Sequence, residues 1–216
     1  MKTRLITWTL LAVLLTGFAA SAHANELAEP KKVNAAVNFV QTDAMTYLLF
    51  NFSDAAVVEQ WTARDDRVMG GVSQSRLRFD HSGHAVFEGV MSLEQNGGFA
   101  SVRAQAKAPP VSEITHYVVE VQGDGKRYML NMQMAGRFSQ VSYQASFATV
   151  KGVWTTLEIP VKSFEPSFRG RRVVDAPALD AALVNQAGLM IANGQDGVFK
   201  LAIRKISASA RGELRR

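Results

Sequence analysis

The stretch "RYMLNMQM", Arg127 to Met134, alternates without a break. Tyr128, Leu130, Met132 and Met134 fall on one side, and Met129, Asn131 and Gln133 on the other. Successive side chains of an extended strand point to opposite faces. The stretch is therefore a strand with one apolar face. The same period spreads in both directions. "THYVVEVQG" sets Tyr117, Val119 and Val121 against His116, Val118 and Glu120. "VSQSRLRFD" and "HAVFEGVMSLE" meet across the turn "HSG", and "YLLFNF" (Tyr47 to Phe52) opens the ordered part. Downstream, "VSYQASFA" aligns Val141, Tyr143, Ala145 and Phe147, and "WTTLEIPV", "GLMIAN" and "VFKLAIRKIS" complete the set. Between them, "HSGH", "NGG", "GDG", "AGR", "KG" and "NGQDG" supply residues that accept the positive φ of tight turns. Short strands at this spacing imply an all-β antiparallel sandwich or barrel.

Two segments break the pattern. "DAPALDAALVNQAG", Asp175 to Gly188, has a capping acid, a proline near its start and a glycine at its end. It predicts one short helix over 177–186. The preceding "VKSFEPSFRGRRVV" reads as a long ordered loop, pinned by Phe164 and Phe168.

The ends read differently from the middle. Lys2 and Arg4 precede an uncharged apolar run from Leu5 to Ala20, and Ala22 and Ala24 flank His23. This is the pattern of a secretory signal peptide over 1–24, with cleavage expected after Ala24. The expected mature chain is then periplasmic or secreted. Residues 25–45 are polar and rich in Ala and Asn, as a linker or loose arm would be. The sandwich domain is expected over 46–208 and a basic tail over 209–216.

Composition excludes several chemistries. The chain has no cysteine, which removes thiol catalysis, thiolate metal sites and disulfide staples. Its formal charge of +5 includes Lys2 and Arg4 and becomes +3 after cleavage, too mild to point to nucleic acid. "HSGH" lacks a helical frame and a third ligand, so no metal site is expected, and no cofactor. There is no GxSxG, and "GDGKR" is a hairpin turn and not a phosphate loop. No catalytic residue is assigned.

Three stretches carry candidate binding residues. In "RDDRVMGGVSQS" (Arg64 to Ser75), Asp65, Asp66 and Ser73 surround a turn formed by Met69, Gly70 and Gly71. Aspartates before a turn accept backbone N–H bonds, so a fold-defining turn at the edge of a binding surface is the expectation. In "EQNGGFASVR" (Glu94 to Arg103), Asn96, Gly97 and Gly98 signal a turn. Beyond it, Phe99, Ser101 and Arg103 share one side of a strand, where an aromatic platform and a fork of donors would suit a shallow groove; the competing reading puts Phe99 in the core and Arg103 in a structural salt bridge. In "SFEPSFRGRR", Arg169, Arg171 and Arg172 are expected to be exposed, as a carboxylate- or phosphate-bearing partner requires.

Six stretches in this order resemble the complex I intermediate-associated protein family: "DDRVMGGVSQS", "FEGVMSLEQNGGFASVR", "RYMLNMQM", "YQASFAT", "WTTLEIPVKSFEPSFRGRRV" and "LMIANGQDGVFKLAI". The resemblance covers about Leu48 to Ser207. It implies a galactose-binding-domain-like jelly-roll β-sandwich, in agreement with the strand pattern. The family is named for a mitochondrial factor that helps to assemble respiratory complex I. The resemblance therefore implies a non-catalytic, assembly-factor-like protein with a protein partner. A signal peptide would send it away from the compartment of the peripheral arm. A jelly-roll carbohydrate-binding module, with carbohydrate as the ligand, is the alternative.

Overall fold

The computed structural model describes residues 45–109 and 113–210. The expected signal sequence, nearly all of the arm and most of the basic tail lie outside the described residues. The order of elements is β1 (Met45–Asn51), α1 (Ala55–Glu59), β2 (Thr62–Ala63), β3 (Gln74–Asp80), β4 (His84–Met91), β5 (Ala100–Gln105), β6 (Ile114–Gln122) and β7 (Arg127–Met134). There follow β8 (Ser142–Ala148), β9 (Trp154–Pro160), β10 (Glu165–Phe168), β11 (Arg171–Arg172), β12 (Val184–Ile191) and β13 (Gly197–Ala210).

The strands form two antiparallel sheets of a jelly-roll β-sandwich. The first runs β3-β4-β13-β6-β9. Its spine is β13, whose first half pairs with β4 and whose second half pairs with β1. The second sheet runs β11-β10-β8-β7-β12-β5-β2. Tyr128, Leu130, Met132 and Met134 are all buried, as the alternation requires. Rings connect the two layers. Phe87 of β4 lies 4.9 Å from Phe199 of β13 and 6.3 Å from Tyr128 of β7, which in turn stacks on Phe147. Trp61 closes one corner against Phe50 and Phe52.

The helix expected over 177–186 is absent. Asp180 does cap, accepting from the Ala182 N–H at 2.9 Å, but it caps only a 3-10 turn, Ala181–Leu183. The chain then extends as β12, between β7 and β5. A bulge between Val184 and Gln186 shifts its register. The shift sets buried Ala181, Val184 and Ala187 three residues apart, a spacing that imitates a helix. The helix that does form is α1, a single turn after Asp54, whose carboxylate accepts the Ala56 N–H. One turn is too short to show periodicity.

The expected loop after β9 is also partly a strand pair. β10 and β11 join through Arg169 (φ 49°) and Gly170 (φ 75°), and Phe168 pairs with Arg171. Two consecutive positive φ values make the primed turn that suits a twisted hairpin. Phe164 pins the segment, 5.5 Å from the Tyr117 ring, whereas Phe168 does not and is largely exposed.

The Phe87 contacts predict a core-level penalty. Phe87→Ala should destabilise the domain by about 4 kcal/mol, lowering the melting temperature by roughly 8–16 °C. Thermal denaturation followed by circular dichroism measures this, and a shift of a degree or two would disprove the stacking role.

Candidate functional site

The residues before β3 run beside the residues before and within β5. β2 pairs with Arg103 and Val102, and the path continues through Arg64 N to Ser101 O (2.7 Å) and Asp66 N to Phe99 O (3.3 Å). The chain then turns through a 3-10 segment, Asp66–Met69, and leaves it at Gly70 with φ 93°. A positive φ here favours glycine.

The two aspartates fix this crossing. Asp65 accepts from Ser75 N (2.9 Å), from the Ser75 hydroxyl and from Ser101 N (3.0 Å). It thereby ties β3 of the first sheet to β5 of the second. Asp66 is fully buried. It accepts from Ser73 N (3.0 Å), Ser73 Oγ (2.6 Å), Gly98 N (2.7 Å) and Phe99 N (3.3 Å). Ser73 Oγ also accepts the Ser92 N–H at 2.9 Å, which brings in the end of β4. Two glycines make room for the carboxylate. A Cβ on Gly71 would lie 2.4 Å from Asp66 Cγ, and one on Gly97 would lie 2.7 Å from Asp66 Oδ2. Burial alone would raise the Asp66 carboxyl. The Ser73 hydroxyl and the N–H groups of Gly98, Phe99 and Ser73 outweigh burial and hold it below its ordinary value.

This clamp forms one wall of a groove on the outer face of the second sheet, with a volume of about 740 Å³. The floor is built by register. Gln144 pairs with Asn131, Asn131 with Gly188, and Gly188 with Arg103, so one row crosses β8, β7, β12 and β5. Gly188 leaves the row open. A Cβ there would lie 3.1 Å from Arg103 Cγ, so the arginine stem occupies the space. On one side of the row lie Met129 and Met190; on the other lie Gln133 and Ser142. Asn131 is only 2% exposed, and both ends of its amide lack partners among the described residues. The Ser142 hydroxyl and Arg103 Nε are likewise buried without partners. The walls mix Gln140, Ser167, Arg169 and Asn193 with exposed apolar side chains. Val68 is 73% exposed, Met69 53% and Phe168 43%.

The candidate residues therefore divide. Phe99, Arg103 and Arg169 converge on the groove, from β5 and from the β10–β11 turn. Asp65, Asp66 and Ser73 do not face a ligand, because their polar atoms serve internal hydrogen bonds. They position the wall. Gly70, Gly71 and Gly97 belong to that support, and Gly98 reaches the groove itself. Met69, expected only to shape the turn, stands at the rim. Asn96, also a candidate binding residue, ends a 3-10 turn, Glu94–Asn96. Arg172 lines an adjoining hollow with Glu165 and Asn193, and Arg171 is exposed on the edge strand. Sequence alone did not single out the amides of Gln133 and Gln144 on the groove floor. Their signal was present: alongside Met129, outer positions Asn131, Gln133, Ser142, Gln144 and Ser146 of β7 and β8 are amides and hydroxyls, where a solvated face more often carries charge. Among the described residues no cluster of three or more His, Asp or Glu is placed to hold a metal ion.

The clamp makes two predictions. Asp66→Ala should destabilise the domain by about 3 kcal/mol, because it leaves buried donors unpaired. Gly71→Ala should do comparable damage alone and much less in the Asp66→Ala background, where the colliding carboxylate is gone. Chemical denaturation of the four proteins measures this coupling, and strict additivity would refute it. Because the Asp66 carboxyl is lowered in the folded state, its contribution is present above the unfolded value of about 3.9 and is lost as pH falls through the folded value. Asp66→Asn should therefore flatten the acid limb of a stability–pH profile; an unchanged limb would count against the clamp.

Residues 50–203 match the family described as Complex I intermediate-associated protein 30 (CIA30). Over 180 residues the chain is 25% identical to "Complex I intermediate-associated protein 30, mitochondrial" of Drosophila melanogaster, covering 73% of this chain. It spans 61% of that relative's length. It is also 27% identical over 173 residues to an uncharacterised protein of Schizosaccharomyces pombe, covering 69% of this chain and 78% of that one. Among solved structures, the fold is similar to the family 11 carbohydrate-binding module from Clostridium thermocellum, determined in complex with a β-1,3-1,4-mixed-linked tetrasaccharide. The TM-score is 0.56 at 17% identity, covering 78% of this chain and 97% of that one. The same family of module from the cellulase Lic26A-Cel5E gives a TM-score of 0.55 at 16% identity, covering 80% and 98%. At such identities the likeness concerns the fold alone. The family match takes in most of the sandwich and both sides of the groove, and the chain belongs to the Complex I intermediate-associated protein 30 family.

Proposed function

We propose that this chain is a non-catalytic binding protein of assembly-factor type. It holds a protein partner in the groove of the second sheet, outside the cytoplasm, after removal of residues 1–24. Membership of an assembly-factor family supports the general role. The observation that carries the site is the exposed apolar rim of Val68, Met69 and Phe168 around an amide floor. Exposed apolar side chains around a polar floor gain free energy when a partner covers them. The floor's amides and hydroxyls then serve the partner's backbone.

A carbohydrate ligand is the second reading, favoured by Gln133, Gln144 and Arg103 on the groove lining, whose planar groups match sugar hydroxyls. The rim supports it less well. Trp61 is buried, and Trp154 lies on the first sheet under Arg204, whose guanidinium carbon stands 4.0 Å above the ring. Among the described residues, the aromatic side chains lining the groove are the phenylalanines Phe99 and Phe168.

A photo-crosslinking residue at Gln133 should capture a protein in cells, and one at Thr156, exposed on the opposite sheet, should not. Equal capture at both positions, or capture at Thr156 alone, would overturn the docking site. Flat calorimetry against mixed-linked glucan oligosaccharides is expected, and binding lost with Gln144→Ala would favour the carbohydrate reading. Cell fractionation should recover a chain beginning at Asn25 outside the cytoplasm.

A further inference from the structure

We propose that the partner places a carboxylate on Arg103 at the floor of the groove, so that the bound segment is acidic at one position and apolar beside it. This rests on the docking reading above and specifies its chemistry. Arginines of the first sheet find acids. Arg76 lies 2.7 Å from Glu88, Arg78 bridges Glu88 and Asp80, and Arg204 lies 2.8 Å from Glu120. Arg103 finds none. No described carboxylate lies within ion-pair distance of it, and its Nε is buried without an acceptor. The charge that does act on it is of like sign. Burial, and after it the charge of Arg64, draw the Arg103 guanidinium below its ordinary value.

A half-buried cation held beside another cation is an unfavourable arrangement unless an anion completes it. The groove itself supplies none. Among the described residues its lining includes Arg103 and Arg169 and contains no Asp, Glu or Lys. The ligand is left to bring the charge, and the fork of a guanidinium fits a carboxylate. Ser142, nearly buried and with an unpartnered hydroxyl, sits on the same floor as a further donor. The rim decides between acidic ligands. Val68, Met69 and Phe168 need apolar side chains to cover them, which a peptide carries and a uronic-acid glycan does not. Arg169, held at φ 49° in the hairpin turn, adds positive charge at the opening.

Random twelve-residue peptides displayed on phage, panned against the purified protein and its Arg103→Gln variant, provide the test. Peptides selected by the wild type should share one Asp or Glu flanked by apolar residues. A synthetic copy should lose about tenfold or more in affinity when that acid becomes the amide, and equally on Arg103→Gln. The two changes together should cost little more than either alone. The melting temperature of Arg103→Gln should hold or rise, because no native ion pair is removed; a marked fall would make Arg103 a structural residue and overturn the proposal. Acid-free peptides that require Phe168 would leave the docking groove standing and overturn the carboxylate. Peptides indifferent to Phe168→Asp, or no enrichment at all, would overturn both. Binding of trigalacturonate that depends on Arg103, with no peptide selected, would replace the peptide by an acidic glycan.

Discussion

The two carboxylates at Asp65 and Asp66 sit where the chain crosses from one sheet to the other, and between them they accept seven hydrogen bonds. Two adjacent buried acids would repel each other and be poorly solvated. Among the described residues no cation pairs with them. Serine hydroxyls and backbone N–H groups from the entry to β3 and the start of β5 solvate them instead. Asp65 joins the layers strand to strand, and Asp66 closes the turn beneath. Because Gly71 and Gly97 crowd the same carboxylate, neither loop can shift without exposing a buried charge or colliding with it. The wall that carries Val68, Met69 and Phe99 inherits its position from this arrangement.

Much of the fold was legible because a sheet with one buried face writes its geometry into the chain. Tyr128, Leu130 and Met132 announce β7, and Tyr143, Ala145 and Phe147 announce β8. Local signals mislead where they conflict with long-range pairing. Ala181, Val184 and Ala187 are spaced like a helix because a bulge interrupts the period of β12, and nothing local reveals that β5 and β7 wait on either side. The β10–β11 hairpin was hidden for a different reason. Its strands are short, and its turn uses Arg169 at a positive φ where Asn or Gly would have announced it.

The site was legible only in part. Alternation puts Phe99 and Arg103 on one side of the chain at β5 but does not say which side faces out. That Arg169 faces them across the sheet follows from strand order, which no local pattern encodes. The aspartates were conspicuous in sequence for a structural reason. The amides of β7 and β8 were inconspicuous, although they make the floor, because Asn and Gln on an outer face look like ordinary solvated positions until the rim above them is seen to be apolar.

The two outer faces use charge in opposite ways. On the first sheet Arg76, Arg78 and Arg204 lie in ion pairs with Glu88, Asp80 and Glu120, so each of these arginines has an acid beside it. On the second sheet the same residue type stands at Arg103 without an acid, above a glycine that gives its stem room. Surface ion pairs contribute little to stability, so the pairing on the first sheet is not needed for folding. An unpaired, half-buried guanidinium on the second sheet works against folding. A fold already fixed by its core and its aspartate clamp can tolerate that cost, and tolerance is what a binding surface requires: groups left unsatisfied in the free protein are the ones a partner can satisfy.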